Sequence, residues 1–169
     1  MNTTTNLTYE PLTKDHLEEV KIIYDYYVKN STATFHMDEV LIEELEAFIP
    51  IGSKKYPSYL VKEGTTVVGY AYLGPFKSRE AYNRTAEVTI YLDHKASGRG
   101  IASKVIKKLE MDALEGDMIC VLMAVITGDN LASIRLFEKL GYEKCAHLKQ
   151  VGEKFGKILD VVDYQKIIR

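Results

Sequence analysis

The 169-residue chain contains no tryptophan, only two cysteines and only four prolines. Cys120 and Cys145 are too few for a disulfide framework, and a chain of this length builds a core without such staples. Cys120 lies in the apolar run Met118–Leu122, where a free thiol behaves as a small core side chain. Reduced thiols fit a cytoplasmic protein. The formal net charge is only −2, which excludes the basic footprint that nucleic acid or an anionic membrane demands. No apolar run is long enough to span a bilayer. The opening Met1–Asn6 is polar, without a basic cluster or apolar segment, and does not read as a signal peptide. The four histidines, His16, His36, His94 and His147, lack ligand spacing. Cys145 with His147 is a lone pair, so no metal is expected.

What the chain does have is regular patterning, without repeats, low-complexity tracts or a linker that would divide it. Residues 1–169 are read as a single domain. Thr8–Leu12 reads as a strand. Thr13 can cap a helix over Lys14–Lys29, with Leu17, Val20, Tyr24, Tyr27 and Val28 at helical spacing. An acidic helix follows over Glu39–Phe48, stopped by Pro50. Tyr56–Val61 and Thr66–Leu73 form a hairpin around Gly64, and Thr85–Leu92 is the next strand. Ile101–Leu114 is an amphipathic helix with the inner stripe Ile101, Val105, Leu109 and Ala113. Met118–Ile126 is a buried strand, before a helix opened by Asn130 and closed by Gly141. Two strands, Glu143–Gln150 and Ile158–Ile168, end the chain. The order βααβββαβαββ predicts an α/β fold with a mixed, partly parallel sheet.

The turn Ser97-Gly98-Arg99-Gly100-Ile101-Ala102 is the most informative segment. Its two glycines admit backbone conformations closed to other residues. The helix starting at Ile101 adds unpaired N–H donors and the positive end of its dipole, a site for phosphate or pyrophosphate, with Arg99 at the rim. A plain strand-to-helix turn has the same composition, and short glycine patterns recur by chance. A Walker turn would need Gly-Lys followed by Ser or Thr. A dinucleotide fingerprint would need a third glycine where Ser103 stands.

Here the sequence resembles the GNAT superfamily of N-acetyltransferases, whose acetyl-CoA loop follows Gln/Arg-x-x-Gly-x-Gly/Ala. Gly100 and Ala102 match the last two fixed places, and Ser97 replaces the usual Gln or Arg. Asn130–Tyr142 resembles the second cofactor segment. Asn30–Phe35, Gly74–Tyr82, Thr85-Ala86-Glu87 and Lys154–Lys157 resemble, in order, blocks of the phosphinothricin acetyltransferase-like branch. The resemblance implies a central twisted sheet of six to seven strands with about four helices. It implies acetyl-CoA as acetyl donor, and Ile90, Tyr91, Leu92, Gly98, Arg99, Gly100, Ile101, Ala102, Ser103, Asn130, Ser133 and Phe137 as its binding residues. It also implies Phe35, Tyr72, Arg79 and Tyr82 around a small amino-acid-like acceptor, and a homodimer, for which the tyrosine-rich first helix and the final strands are the candidate surfaces.

Acetyl transfer to an amine needs a proton acceptor, an oxyanion donor and release of the thiolate. Strand alternation puts Glu87, Thr89 and Tyr91 on one face, with Ala86, Val88, Ile90 and Leu92 on the apolar, core-facing side. Glu87 thus sits on the more polar face, as a solvated strand residue, a partner for Arg84, or a base. The resemblance matches it to the branch's catalytic glutamate. A backbone N–H near Ile90 or Tyr91 is the expected oxyanion donor. Many relatives carry tyrosine, and members of the branch histidine, where Phe137 stands; phenylalanine has no proton to give. Acetylation of another amine (a protein N-terminus, a polyamine or an aminoglycoside) and a non-catalytic acyl-CoA-binding module are the rival readings.

Overall fold

The structure, a computed structural model, describes residues 6–169. The opening Met1–Thr5, part of the segment read as no signal peptide, lies outside the described residues. The strands are β1 (Leu7–Pro11), β2 (Ser58–Glu63), β3 (Thr66–Pro75), β4 (Thr85–Leu92), β5 (Val121–Thr127), β6 (Glu143–Lys154) and β7 (Lys157–Ile167). The helices are α1 (Leu17–Asn30), α2 (Ile42–Phe48), α3 (Ile101–Gly116) and α4 (Leu131–Lys139). This is the expected order, with β4 placed residue for residue.

One seven-stranded sheet runs β1-β2-β3-β4-β5-β7-β6. Every neighbouring pair is antiparallel except β4 with β5. That parallel ladder comprises only Thr85 with Val121, Ala86 with Leu122, and Glu87 with Met123. β4 stays paired with β3 along its whole length, from Ala86 opposite Pro75 to Leu92 opposite Gly69. β5 pairs with β7 over all seven residues, to Thr127 opposite Val161. Beyond Glu87 the two central strands therefore part.

Both faces of the sheet are covered. On one, the stripe Ile101, Val105, Leu109 and Ala113 of α3 is buried as its spacing predicts, against Ala71, Leu73, Ala86 and Val88. On the other, α1 and α2 bury Leu17, Val20, Tyr24, Val28 and Leu45 over Leu60, Tyr70 and Tyr72. The face of Glu87, Thr89 and Tyr91 is therefore the floor of a second core rather than simply a polar face. Its tyrosines conceal this in the sequence, because an amphipathic ring reads as apolar or polar alike. Tyr91 is surrounded by Tyr24 at 5.2 Å, Tyr27 at 5.2 Å and Tyr70 at 5.7 Å between ring centres. Tyr24 and Tyr27 thus serve the interior, and Tyr26 is the exposed tyrosine of α1.

Several boundaries shift, among them those of β1, α1, β2 and β6, and two of the shifts have a plain local reason. α2 begins at Ile42, where the Glu44 carboxylate caps the Leu41 N–H at 2.6 Å. β5 begins at Val121 because Asp117, with φ +57°, ends α3, and the Cys120 N–H is first spent on the Arg84 carbonyl.

Gly69 faces Leu92 across the β3–β4 ladder. A Cβ there would stand 2.7 Å from the Tyr91 carbonyl oxygen and 3.1 Å from the Leu92 Cα, both backbone atoms. Gly69→Ala should therefore destabilise the protein by roughly 1–3 kcal/mol through overpacking, read as a lower urea midpoint at unchanged slope.

Candidate active site

The parting of β4 from β5 opens a cleft of about 780 Å³. Its walls are β4 from Glu87 to Leu92 and β5 from Ala124 to Thr127, closed at one end by the glycine turn and at another by α4. Past Glu87, β4 has no ladder partner on its β5 side, so backbone groups there face the cleft. The Leu92 carbonyl is taken by the Tyr27 hydroxyl at 2.5 Å, which ties α1 to the end of this strand.

Gly98 and Gly100 both adopt left-handed conformations, with φ +77° and +74°. Gly100 is the N-cap of the 16-residue α3 and offers no side chain to its first turn, which also carries no acidic residue. The leading N–H groups of α3 are left to whatever enters the cleft, the arrangement that holds a phosphate. A side chain at either glycine would meet open space, so the requirement is the backbone conformation itself. Ser97, Gly98, Gly100, Ile101, Ala102 and Ser103 line the cleft. Arg99 does not. Its guanidinium is spent on the Glu63 carboxylate, with 2.7 Å to each oxygen.

Asn130 and Ser133 line the opposite wall, with the Asn130 side chain capping α4 at the Ser133 N–H, 3.2 Å away. Phe137 also reaches the cleft, but it is 4% exposed and packs edge-on to Tyr142 at 4.9 Å.

A second cavity, of about 520 Å³, lies on the α2 side of β3 and β4. Ala47, Phe48, Pro50, Tyr56, Tyr72 and Pro75 give it an apolar and aromatic wall. Glu87 and Thr89 line both cavities. Glu87 is the single charged residue of the smaller one. It makes no ion pair among the described residues, and Arg84 is not its partner. Burial pushes its carboxyl above the usual range, and the Asp163 carboxylate adds to the shift. Burial likewise pushes the Tyr72 phenol up to about 12, which Thr89 across the ladder partly opposes. The Tyr91 phenol is pushed up further, again chiefly by burial.

The structure brings together Glu87, Tyr72, the β4 segment, the glycine turn and the α4 residues. Phe35, Arg79 and Tyr82 line neither cavity. The Phe35 ring lies on Gly152, Tyr82 packs edge-on to Phe76 at 6.0 Å, and Arg79 is exposed at the start of a helical turn. Sequence reading did not assign to the site the wall of the cleft built by the end of α1 and the segment after it (Tyr26, Tyr27, Asn30, Ser31 and Ala33), nor the α2 wall of the smaller cavity. Two signals for the first of these walls are present in the sequence: the tyrosine run of α1, with Tyr27 at helical spacing, and the Asn30–Phe35 block, which contains Asn30, Ser31 and Ala33. Among the described residues no cluster of three metal-ligating side chains occurs, and His147 pairs with Asp160 at 2.7 Å.

Comparison with known proteins places this geometry. Residues 11–162 match the acetyltransferase (GNAT) domain family. The phosphinothricin N-acetyltransferase of Streptomyces coelicolor is 29% identical over 167 residues, 96% of this chain and 97% of its own. The L-methionine sulfoximine/L-methionine sulfone acetyltransferase of Pseudomonas paraeruginosa is 28% identical over 151 residues, 88% of this chain and 87% of its own. A GNAT phosphinothricin acetyltransferase from Sinorhizobium meliloti, solved in complex with acetyl-CoA, superposes with a TM-score of 0.89. It is 30% identical, and the match covers 96% of this chain and 88% of that one. With the parted central strands, the uncapped helix after the glycine turn and these relatives, the chain belongs to the GNAT family of acetyltransferases.

Proposed function

We propose that the chain, acting as one domain, transfers the acetyl group of acetyl-CoA directly to the amine of a small amino acid or analogue, with Glu87 as general base. One observation carries this reading: Glu87 lines both cavities. A donor in the larger cleft and an amine in the smaller one meet at its carboxylate.

The larger cleft fits the donor. The glycine turn and the α3 N-terminus (Gly98, Gly100, Ile101, Ala102 and Ser103) would take the pyrophosphate. The free β4 backbone at Ile90, Tyr91 and Leu92 would lie along the pantetheine arm, with Asn130, Ser133 and Phe137 opposite. Acetyl-CoA supplies a thioester carbonyl open to attack by nitrogen. Glu87 accepts the ammonium proton, directly or through a water, and frees the lone pair that forms the C–N bond. A backbone N–H near Ile90 or Tyr91 stabilises the oxyanion, and the C–S bond then breaks. As the C–S bond breaks, the nitrogen now bonded to carbon gives its second proton to water, and because Phe137 has no proton to offer, that water passes one on to the departing thiolate.

The smaller cavity has the size of a small-molecule site. Its aromatic wall, including Tyr72, suits a compact side chain, and the relatives named for phosphinothricin and methionine sulfoximine support an amino-acid-like acceptor. Phe35, Arg79 and Tyr82 stand outside it and would contact an acceptor only from beyond its rim. The reading includes a cytoplasmic homodimer, supported by the exposed Leu148, Val151 and Ile158 of the final hairpin.

Mixing the protein with acetyl-CoA and an amine panel, and following free thiol, tests the proposal. Donor binding without turnover on any amine would reject it in favour of a binding module. Glu87→Gln should lower kcat/KM by about 10²–10⁴-fold near neutrality. The deficit should shrink at high pH, where the amine is already neutral, and an unchanged pH profile would remove Glu87 from the chemistry.

Glu87, whose carboxyl is raised by burial, also makes a prediction about its own contribution to stability, other carboxylates aside. Its proton affinity is higher folded than unfolded, so stability is greatest below the ordinary glutamate range and falls as pH rises through the raised folded value. Glu87→Gln removes that decline. The variant should melt above the wild type at pH 8 and show no such advantage at pH 4.

Gly100→Val forces a branched side chain into a left-handed conformation that costs about 1–2 kcal/mol. If the turn relaxes to escape that strain, acetyl-CoA binding should weaken about tenfold. Calorimetric titration measures this, and an unchanged affinity would count against the cradle.

A further inference from the structure

Lys154 is 1% exposed, the most deeply buried charged side chain among the described residues. It has no carboxylate partner there. Its Nζ donates to the Ser31 and Thr34 carbonyl oxygens, both at 2.8 Å, and lies 5.0 Å from the centre of the Phe155 ring. Burial pulls its proton affinity below the usual lysine range. A buried ammonium held by two backbone carbonyls and an aromatic ring, with no carboxylate, is an expensive way to fill space, since an apolar side chain would fill it without desolvating a charge. The placement calls for a use.

The segment it grips, 31–34, crosses the opening of the sheet. It leaves α1, which packs over β3 and β4, and it is fastened by residues from the other half. Lys154 ends β6, and the Thr127 hydroxyl at the end of β5 donates to the Thr32 carbonyl at 2.6 Å. The Thr32 hydroxyl donates to Asp129 at 2.7 Å. Three of the four carbonyls from Ser31 to Thr34 are thus held by side chains of the β5–β7 half. Lys154 reaches this place because Phe155 and Gly156, at φ +52° and +70°, make the tight two-residue turn that brings β6 back as β7. β4 and β5 share only three residue pairs, so their own ladder does little to fix how far apart they stand beyond Glu87. Ser31 and Ala33 line the larger cleft directly and do not touch the smaller cavity.

We propose that Lys154 is a positioning residue that sets the opening of the donor cleft by locking segment 31–34 across the parted strands. The assignment of that cleft to acetyl-CoA rests on the function proposed above; the lock itself does not.

The test compares wild type with Lys154→Met, which keeps the stem and loses the ammonium, and with Thr127→Val, which removes the neighbouring fastening. In each folded variant, amide exchange at residues 31–35 should quicken about tenfold or more while the α3 core keeps its protection. The KM for acetyl-CoA should rise about tenfold, and that for the amine much less, because no residue of 31–34 lines the smaller cavity. A general loss of stability would move both KM values and the α3 exchange together. Unchanged exchange at 31–35 in a folded Lys154→Met variant, or equal rises in both KM values, would overturn the proposal. If Lys154→Met does not fold, Thr127→Val decides by the same criteria. If the wild type neither binds nor turns over acetyl-CoA, the function reading fails, and the exchange measurement alone still decides whether the lock exists.

Discussion

Parallel pairing between β4 and β5 stops after Glu87, and the two cavities and the chemistry proposed for them depend on that stop. Each strand is held elsewhere. β4 is laddered to β3 through Leu92, and β5 is laddered to β7 through Thr127, so neither can follow the other without losing bonds already made. Between the parted edges, β4 exposes backbone donors and acceptors to the cleft. A buried unpaired backbone group is costly, so an edge left open inside a fold is a standing demand for a ligand that can pair with it. Glu87 is the last residue of the ladder on its strand. That position puts it where the larger cleft and the smaller cavity adjoin.

The two faces of the sheet answer different needs. The α3 side is mainly aliphatic beneath the helix itself, with Phe137, Tyr142 and Tyr164 towards α4, and carries the crossover that returns the chain from the end of β4 to the start of β5. The α1–α2 side is built from tyrosines: Tyr24, Tyr27, Tyr70, Tyr72 and Tyr91 pack ring to ring beneath the two helices. Such rings exclude water as phenylalanine would, and their hydroxyls satisfy polar atoms at the rim, as Tyr27 does for the Leu92 carbonyl and Tyr24 for Thr34. The dryness that raises the phenols of Tyr72 and Tyr91 also raises the Glu87 carboxyl. A carboxylate held in water beside Arg84 would be a poorer proton acceptor.

The element order, the α3 stripe and the extent of β4 were legible because each depends on periodicity over neighbouring residues. The glycine turn was legible as a possible anion site and became specific only through the blocks around it. The second core was not legible. Alternation along β4 separated Glu87, Thr89 and Tyr91 from the aliphatic residues correctly, yet hydropathy cannot say whether a tyrosine face meets solvent or another tyrosine face. The walls contributed by α1 and α2 were missed for the same reason. Lys154 was visible only as part of a block. Its partners lie 123 and 120 residues away in the chain, and no local pattern marks a lysine that will be buried against carbonyls.

Two departures from the family pattern, Ser97 and Phe137, point the same way once placed. Ser97 gives its hydroxyl to the His94 carbonyl at 2.7 Å, and Arg99 is committed to Glu63. The two polar side chains of the turn are therefore occupied, while the parts that need no side chain remain: two left-handed glycines and the uncapped start of α3. Phe137 keeps the shape of an aromatic wall without a proton to give. In both places the protein keeps geometry and gives up a functional group. Thiolate is a good leaving group near neutrality, with a thiol pKa of about 8.5, so a missing acid costs less than a misplaced amine would. The catalysis proposed here accordingly rests on one carboxylate, one open strand edge and the rigidity of the elements that aim them.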